Sequence, residues 1–271
     1  MLAWGTTATR SSAVIGCGLT KGLFMKETVQ GGNQPELGRP FGKPKLGFLF
    51  DVDNTLIDND SVIADLKDYL RGHVGESGSQ AYWAVFEELR NELGYADYLG
   101  ALQRYRIGHP TDFRLLTMSR FLLTYPFASR LFPRALSVLA ECAAAGVSAL
   151  LTDGDVVFQP WKIESSGLYQ AVGGRVLVYV HKEEQLRDVD ARLCCDHYVM
   201  IDDKLRLLAA IKAAWRAKVT TVFVRQGHYA HDPQSVTGFP PADFSIACIA
   251  DLSNLLATTL PERMAPAAIS R

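Results

Sequence analysis

The chain has 271 residues, a formal net charge of −1 and a hydrophobic content of 48%. That length suits one sizeable domain, or a core with a smaller domain inserted, and the apolar content is enough for a real core. The near-zero charge and the lack of a dense Lys/Arg run argue against a nucleic-acid or anionic-membrane surface, and no apolar stretch approaches the ~18–20 residues that span a bilayer. A phosphorylated small molecule, which needs only a few local cations, stays open. The five cysteines, at 17, 142, 194, 195 and 248, lack paired metal-type spacing. Cys194 and Cys195 are adjacent, which suits neither a C-x-x-C zinc knuckle nor an unstrained disulfide. We read all five as reduced, partly buried residues of a cytoplasmic protein.

Residues 1–45 are rich in Gly, Pro, Ser and Thr and show little periodicity. Residues 1–26 carry only Arg10, Lys21 and Lys26 as charged side chains, and Arg10 interrupts the apolar region a signal peptide requires. The segment reads as a flexible, non-catalytic extension, with Met25 as an alternative start.

Residues 46–50, Leu-Gly-Phe-Leu-Phe, are a short apolar run suited to a buried strand of a parallel sheet. The run ends in Asp51-Val-Asp53-Asn54-Thr55, which delivers two carboxylates and a hydroxyl to the strand's carboxyl end, where open α/β sheets bind ligands. Carboxylates that close repel each other, and the simplest gain from holding them is a divalent cation. A strand followed by an Asp/Asn-rich turn accounts for the same residues, since both favour turns.

From 57 to 130 the spacing predicts helices. Asp60 or Ser61 can cap one whose apolar residues Val62, Ile63, Leu66, Tyr69 and Leu70 recur at three- and four-residue intervals. Tyr82, Trp83, Phe86 and Leu89 mark a second, and Leu115, Leu116, Phe121 and Leu122 another. These stripes read first as the core of a small bundle rather than as a ligand platform. Pro133 can open the next helix and Gly146 close it. Strand and helix then alternate, with strands near 147–151, 176–180, 198–202 and 219–224 and a short one near 244–247. The helix after Asp203 has Leu205, Leu208, Ile211 and Trp215 on one face. Alternation of this kind implies a Rossmann-like α/β core, a parallel sheet with helices on both faces. Residues 46–56 and 131–260 form that core, 57–130 an inserted helical domain, and 261–271 a tail.

Three later strand ends extend the pattern that begins at Asp51. Val147-Ser-Ala-Leu-Leu-Thr152 is an apolar strand ending in Thr, Lys182 follows the apolar run Arg175–Val180, and Tyr198-Val-Met-Ile-Asp202-Asp203 ends in two acids. With Asp51, Asp53 and Thr55, and in this order, they resemble the four motifs of the haloacid dehalogenase-like hydrolase superfamily. The match covers about 46–256. The resemblance implies that the helical insertion is a cap that closes over the active site and selects the substrate. It also implies that Asp51 is the nucleophile and that Asp53 first protonates the leaving oxygen and then activates water. The residues suit those tasks: Asp51 is an unblocked carboxylate, and the second role needs a carboxyl group tuned toward neutral pH. Thr152 and the amides beyond it can hold phosphoryl oxygens, and Lys182 can neutralise charge as a flexible point cation. Hard oxygen ligands suit Mg2+, held by Asp51, the backbone carbonyl of Asp53, and Asp202, with Asp203 supporting it through water.

Other readings stand beside these. Thr152 and Asp203 can each merely cap the following helix. Lys182 can be a solvated lysine in His181-Lys-Glu-Glu184, because relatives often place Pro after this Lys and here Glu183 follows. Lys162 is then the fallback, although its segment resembles a structural helix of many relatives. Asp153, where many relatives have Asn, adds negative charge near the expected phosphate and can narrow the substrates accepted. Arg104, Arg106 and His109 are the cap candidates to meet the substrate's distal part, with a solvent-exposed face as the other reading. Asn54 suggests phosphatases of nucleotides and sugar phosphates. His228 and His231 follow the fifth strand and could reach the site rim with Arg225, or form a surface loop.

Members that cleave carbon–halogen bonds usually lack the second motif-one Asp, which this chain keeps. Phosphonate-cleaving relatives also replace it and use a cap lysine for an imine; the only Lys in the cap is Lys67, early in its first helix. The expected protein is therefore a Mg2+-dependent phosphatase of a small phosphorylated metabolite, monomeric or homodimeric. A phosphomutase and a non-catalytic binding protein are the alternatives.

Overall fold

Phe48, Leu49 and Phe50 have no exposed surface, as a strand covered on both faces requires. They belong to β1 (Leu46–Phe50), the centre of a six-stranded sheet. The computed structural model describes residues 45–258; the extension up to residue 44, Cys17 and the 261–271 tail fall outside them. Beside β1 lie β2 (Val147–Asp153), β3 (Val176–Tyr179), β4 (His197–Asp202), β5 (Val219–Val224) and β6 (Phe244–Ile246). All pair in parallel, in the order β3-β2-β1-β4-β5-β6. The expected Rossmann-like α/β fold is thus the observed one. The strand order reverses between β1 and β4, and such a switch point leaves a crevice at the carboxyl ends.

Between β1 and β2 run α1 (Asn59–Leu93), α2 (Tyr98–Gly108) and α3 (Leu115–Thr124), followed by α4 (Ala135–Ala145). The later crossovers carry α5 (Phe158–Ser165), α6 (Leu168–Ala171), α7 (Leu186–Leu193) and α8 (Leu205–Trp215). α9 (Gly227–His231) and α10 (Pro233–Val236) precede β6, and α11 (Leu252–Thr258) follows it. Alternation along β1 sends Phe48 and Phe50 to one face with Val138, Leu139 and Cys142 of α4. It sends Leu49 to the other with Val189 of α7 and Leu208 and Ile211 of α8. The four cysteines among the described residues are free, and no described helix is long and apolar enough to cross a membrane.

The insertion is pinned where it leaves and rejoins the core. Ile57 bridges Leu131 antiparallel, Asp58 N donates to Arg130 O (2.8 Å) and Phe132 N to Leu56 O (2.9 Å). The N-cap of α1 is Asp58, whose carboxylate accepts from Ser61 N at 3.0 Å; Asp60, expected to cap, instead lies in the first turn. Gly75 breaks α1 with φ 77° and ψ 169°, a conformation open essentially to Gly alone. The two arms, 59–74 and 76–93, fold back on each other, bringing Lys67 over the Trp83 ring at 5.2 Å. Tyr82, Phe86 and Tyr98 fill the bundle, with Tyr82 Oη donating to Tyr98 O at 3.0 Å.

Candidate active site

The sheet register levels the strand ends. Phe50 stands opposite Leu150 of β2 and Ile201 of β4, so Asp51 and Asp202 emerge side by side. Beyond β3 the chain turns through His181 at φ 59° and drives the Lys182 side chain inward. The Lys182 ammonium lies 2.6 Å from Asp51 Oδ1 and 2.7 Å from Asp202 Oδ2, and donates to Leu151 O at 3.2 Å. Lys182 is therefore a buried cation and not a solvated surface lysine. Burial alone would lower its pKa, but attraction to Asp202 and Asp51 outweighs burial and raises it. Thr55 Oγ1 donates to Asp51 Oδ2 at 3.2 Å, so both oxygens of that carboxylate are oriented.

Asp203 does not cap the following helix. It is fully buried, and neither of its carboxylate oxygens has a hydrogen-bond partner. Burial pushes its pKa well above the usual carboxylate range, and raises that of Asp202 against the pull of Lys182. Oxygens of Asp51, Asp202 and Asp203 lie within 4.8 Å of one another. Three carboxylates and no sulfur or imidazole make a donor set fitted to a hard divalent cation. The unbonded oxygens of Asp203 are what such an ion would satisfy. Asp153 adds a fourth carboxylate, its Oδ1 accepting from Lys182 N at 2.7 Å. Burial raises its pKa while Lys182 works to lower it.

Asp53 sits at the edge of this floor. Lys162 Nζ lies 2.7 Å from its Oδ1, and Gln159 Nε2 donates to its Oδ2 at 3.3 Å. Lys162 also donates to Asn59 Oδ1 at 3.2 Å, tying α5 and Asp53 to the first residue of α1. Lys162 is thus no remote scaffold lysine, although Lys182 and not Lys162 meets Asp51. Thr152 is buried and is not a helix cap: its hydroxyl accepts from Gln159 Nε2 at 3.0 Å and donates to Asp153 O at 3.3 Å. Asp155 satisfies the amides of Val157 and Phe158 at the start of α5.

Above the floor a cleft of about 860 Å³ opens between core and insertion. Asn54, expected to meet substrate, is buried with its amide directed at Asp60: Nδ2 donates to Asp60 Oδ1 (3.0 Å) and Oδ1 accepts from Asp60 N (3.1 Å). His228 joins the same carboxylate through its backbone N (2.7 Å) and Nδ1 (2.6 Å). Gly227 is needed there, since it has φ +69° and a Cβ would come within 2.5 Å of Asn54. Arg104 and Arg106 do not reach the cleft. Arg104 pairs with Glu92 at 2.7 Å on the surface, and Arg106 is exposed on the same helix. His109, His231 and Arg225 are likewise exposed outside it. The insertion's cleft-facing cations are Lys67 and Arg90, and the core supplies Lys204 and Arg206. Gln159 and Lys162, three apart on α5, were the recognisable signal for the Asp53 contacts, because that spacing puts two side chains on one helix face.

The chain is 53% identical to a protein assigned to the haloacid dehalogenase-like hydrolases of Burkholderia xenovorans LB400. The match covers 82% of this chain and 100% of that one, with a TM-score of 0.77. The chain belongs to the haloacid dehalogenase-like hydrolases. Its fold is shared more distantly by L-2-haloacid dehalogenase from Xanthobacter autotrophicus (20% identity, 79% of this chain and 98% of that chain, TM-score 0.54). It is also shared by a HAD hydrolase from Bacillus subtilis bound to magnesium (16% identity, 79% and 99%, TM-score 0.56). No protein-family model and no curated protein sequence matches the chain.

Proposed function

We propose that this hydrolase is a Mg2+-dependent phosphomonoesterase acting on a small phosphorylated metabolite through a phosphorylated Asp51. The carrying observation is the division of labour between two carboxylates: Asp51 is buried under Lys182 with 3% of its side chain exposed, whereas Asp53 has 25% exposed and lines the cleft. A reaction that expels an oxygen needs a proton donor at that position; one that expels a halide does not. A cleft of about 860 Å³ also exceeds what a short haloacid requires. In the reaction Asp51 attacks phosphorus, the P–O ester bond breaks, and Asp53 protonates the departing oxygen. Asp53 then takes a proton from water, whose oxygen displaces Asp51 and releases inorganic phosphate. Lys182 and Thr55 hold the nucleophile's carboxylate, and Lys162 and Gln159 hold the acid. Asp51, Asp202 and Asp203, with the Asp53 carbonyl, would hold Mg2+, which when bound offsets charge on the phosphoryl oxygens. The test is phosphate release from nucleotides, sugar phosphates and phosphoglycolate, with and without Mg2+, alongside halide release from 2-chloropropionate. Metal-dependent phosphate release without halide is the expected result; halide release without phosphate contradicts it.

A further inference from the structure

The walls of the cleft describe the leaving group, taking the phosphoester reading as given. Asp60, Ile63, Ala64 and Lys67 recur at three- and four-residue steps and all face the cleft, so they form one stripe climbing the first arm of α1. The stripe begins beside Asn59, which bonds Lys162 at the floor. At 1.5 Å per residue, Lys67 stands roughly 12 Å along the helix from Asn59.

Most charges on these walls are already paired. Asp60 holds His228 and Asn54, Glu87 holds Arg90 (3.3 Å), Arg90 also bonds the Tyr229 hydroxyl, and Arg206 holds Glu183 (3.1 Å). Two cleft ammonium groups make no ion pair with a carboxylate among the described residues. Lys204 is one, next to Asp203 at the floor, and Lys67 is the other, at the far end. The exposed Lys67 ammonium lies over the Trp83 ring, 5.2 Å from its centroid. An exposed ammonium with no carboxylate partner, standing on the cleft wall over a ring face, is free to meet an anionic group carried by a ligand. The cleft also carries ring surface: Trp83, Tyr95, Tyr229 and Phe239 all line it without being fully buried.

We propose that the substrate's leaving group is a planar ring system carrying a second anionic group, carboxylate or phosphate, at the end remote from the ester, received by Lys67 beside Trp83. The ring stacks on exposed aromatic faces, and the distal charge is what distinguishes this substrate from a neutral phosphoester.

Affinity for uncleavable analogues tests this separately from turnover. Biphenyl-4-ylphosphonate and 4′-carboxybiphenyl-4-ylphosphonate, the second long enough to reach from the floor toward Lys67, are titrated calorimetrically into the full chain with Mg2+. The carboxylated analogue should bind about tenfold tighter, roughly the gain of one partly desolvated ion pair. In Lys67→Met the ratio should fall to about one, and in Lys67→Glu it should invert. Equal affinities in the wild type, binding of neither analogue, or an unchanged ratio in Lys67→Met overturns the proposal. A retained tenfold preference with no phosphate released from the matching phosphate esters would instead refute the hydrolytic reading and leave the distal anion site standing.

Discussion

At the floor of the cleft Asp51, Lys182 and Asp202 have between 0% and 3% of their side chains exposed, and one ammonium group bridges two carboxylates. On the cap wall the pair Arg90–Glu87 is 37% and 54% exposed, and Lys67 lies open over an indole ring. The floor stands on strand ends whose backbone is fixed by neighbours on both sides. The wall stands on a helical hairpin reversed at a single glycine. Charges held in low dielectric are strongly coupled and leave little freedom for substitution, whereas exposed pairs contribute little to stability and are easily exchanged. The proposed function therefore puts the chemistry where replacement is costly, and substrate choice where it is not.

The contrast is broken most directly by removing the central cation. Lys182→Met leaves Asp51 and Asp202 buried against each other without their partner and should destabilise the protein by about 3–5 kcal/mol. Lys67→Met should stay within about 0.5 kcal/mol. Urea denaturation of both variants compares them, and equal midpoints would show that the floor is not the tightly coupled network described. A second variant probes the acid rather than the nucleophile. Lys162→Met frees Asp53 from its 2.7 Å contact and should lower kcat roughly 100-fold with KM little changed. A larger effect on KM than on kcat would move Lys162 from positioning to substrate binding. A third variant concerns the hairpin. Gly75→Ala forces a Cβ into a conformation reserved for Gly and should cost about 1–3 kcal/mol. Hydrogen exchange should locate the loosening in α1 while the β1 amides stay protected, and uniform loosening would show that cap and floor do not differ as described.

The sequence made the floor readable and left the wall dark, for a physical reason. Buried parallel strands carry continuous apolar runs, so β1, β2, β4 and β5 and the polar residues ending them stand out, and Asp51, Asp202 and Lys182 are found beside one another. Lys162 was harder to place, because its meaning depends on where α5 lies against Asp53. The cap residues were harder still. Tyr105 and Ala101 turn inward on α2, which leaves Arg104 and Arg106 outside, and the cations that face the cleft sit on α1. Periodicity gives a helix its apolar face but not which polar face meets a ligand, and the reversal at Gly75 that sets this for α1 has no strong local signature. The same uncertainty applied to Asn54, whose amide is directed at the Asp60 and His228 contacts that join the insertion to the core.

The central claim is that Asp51 carries the phosphoryl group. Acid-quenched peptide mass spectrometry, taken during turnover of the preferred ester with Mg2+, tests it most directly. The account predicts phosphate on the peptide containing Asp51, and loss of both the label and phosphate release, by roughly 10⁴-fold or more, in Asp51→Asn. Phosphate release near the wild-type rate from Asp51→Asn would contradict it.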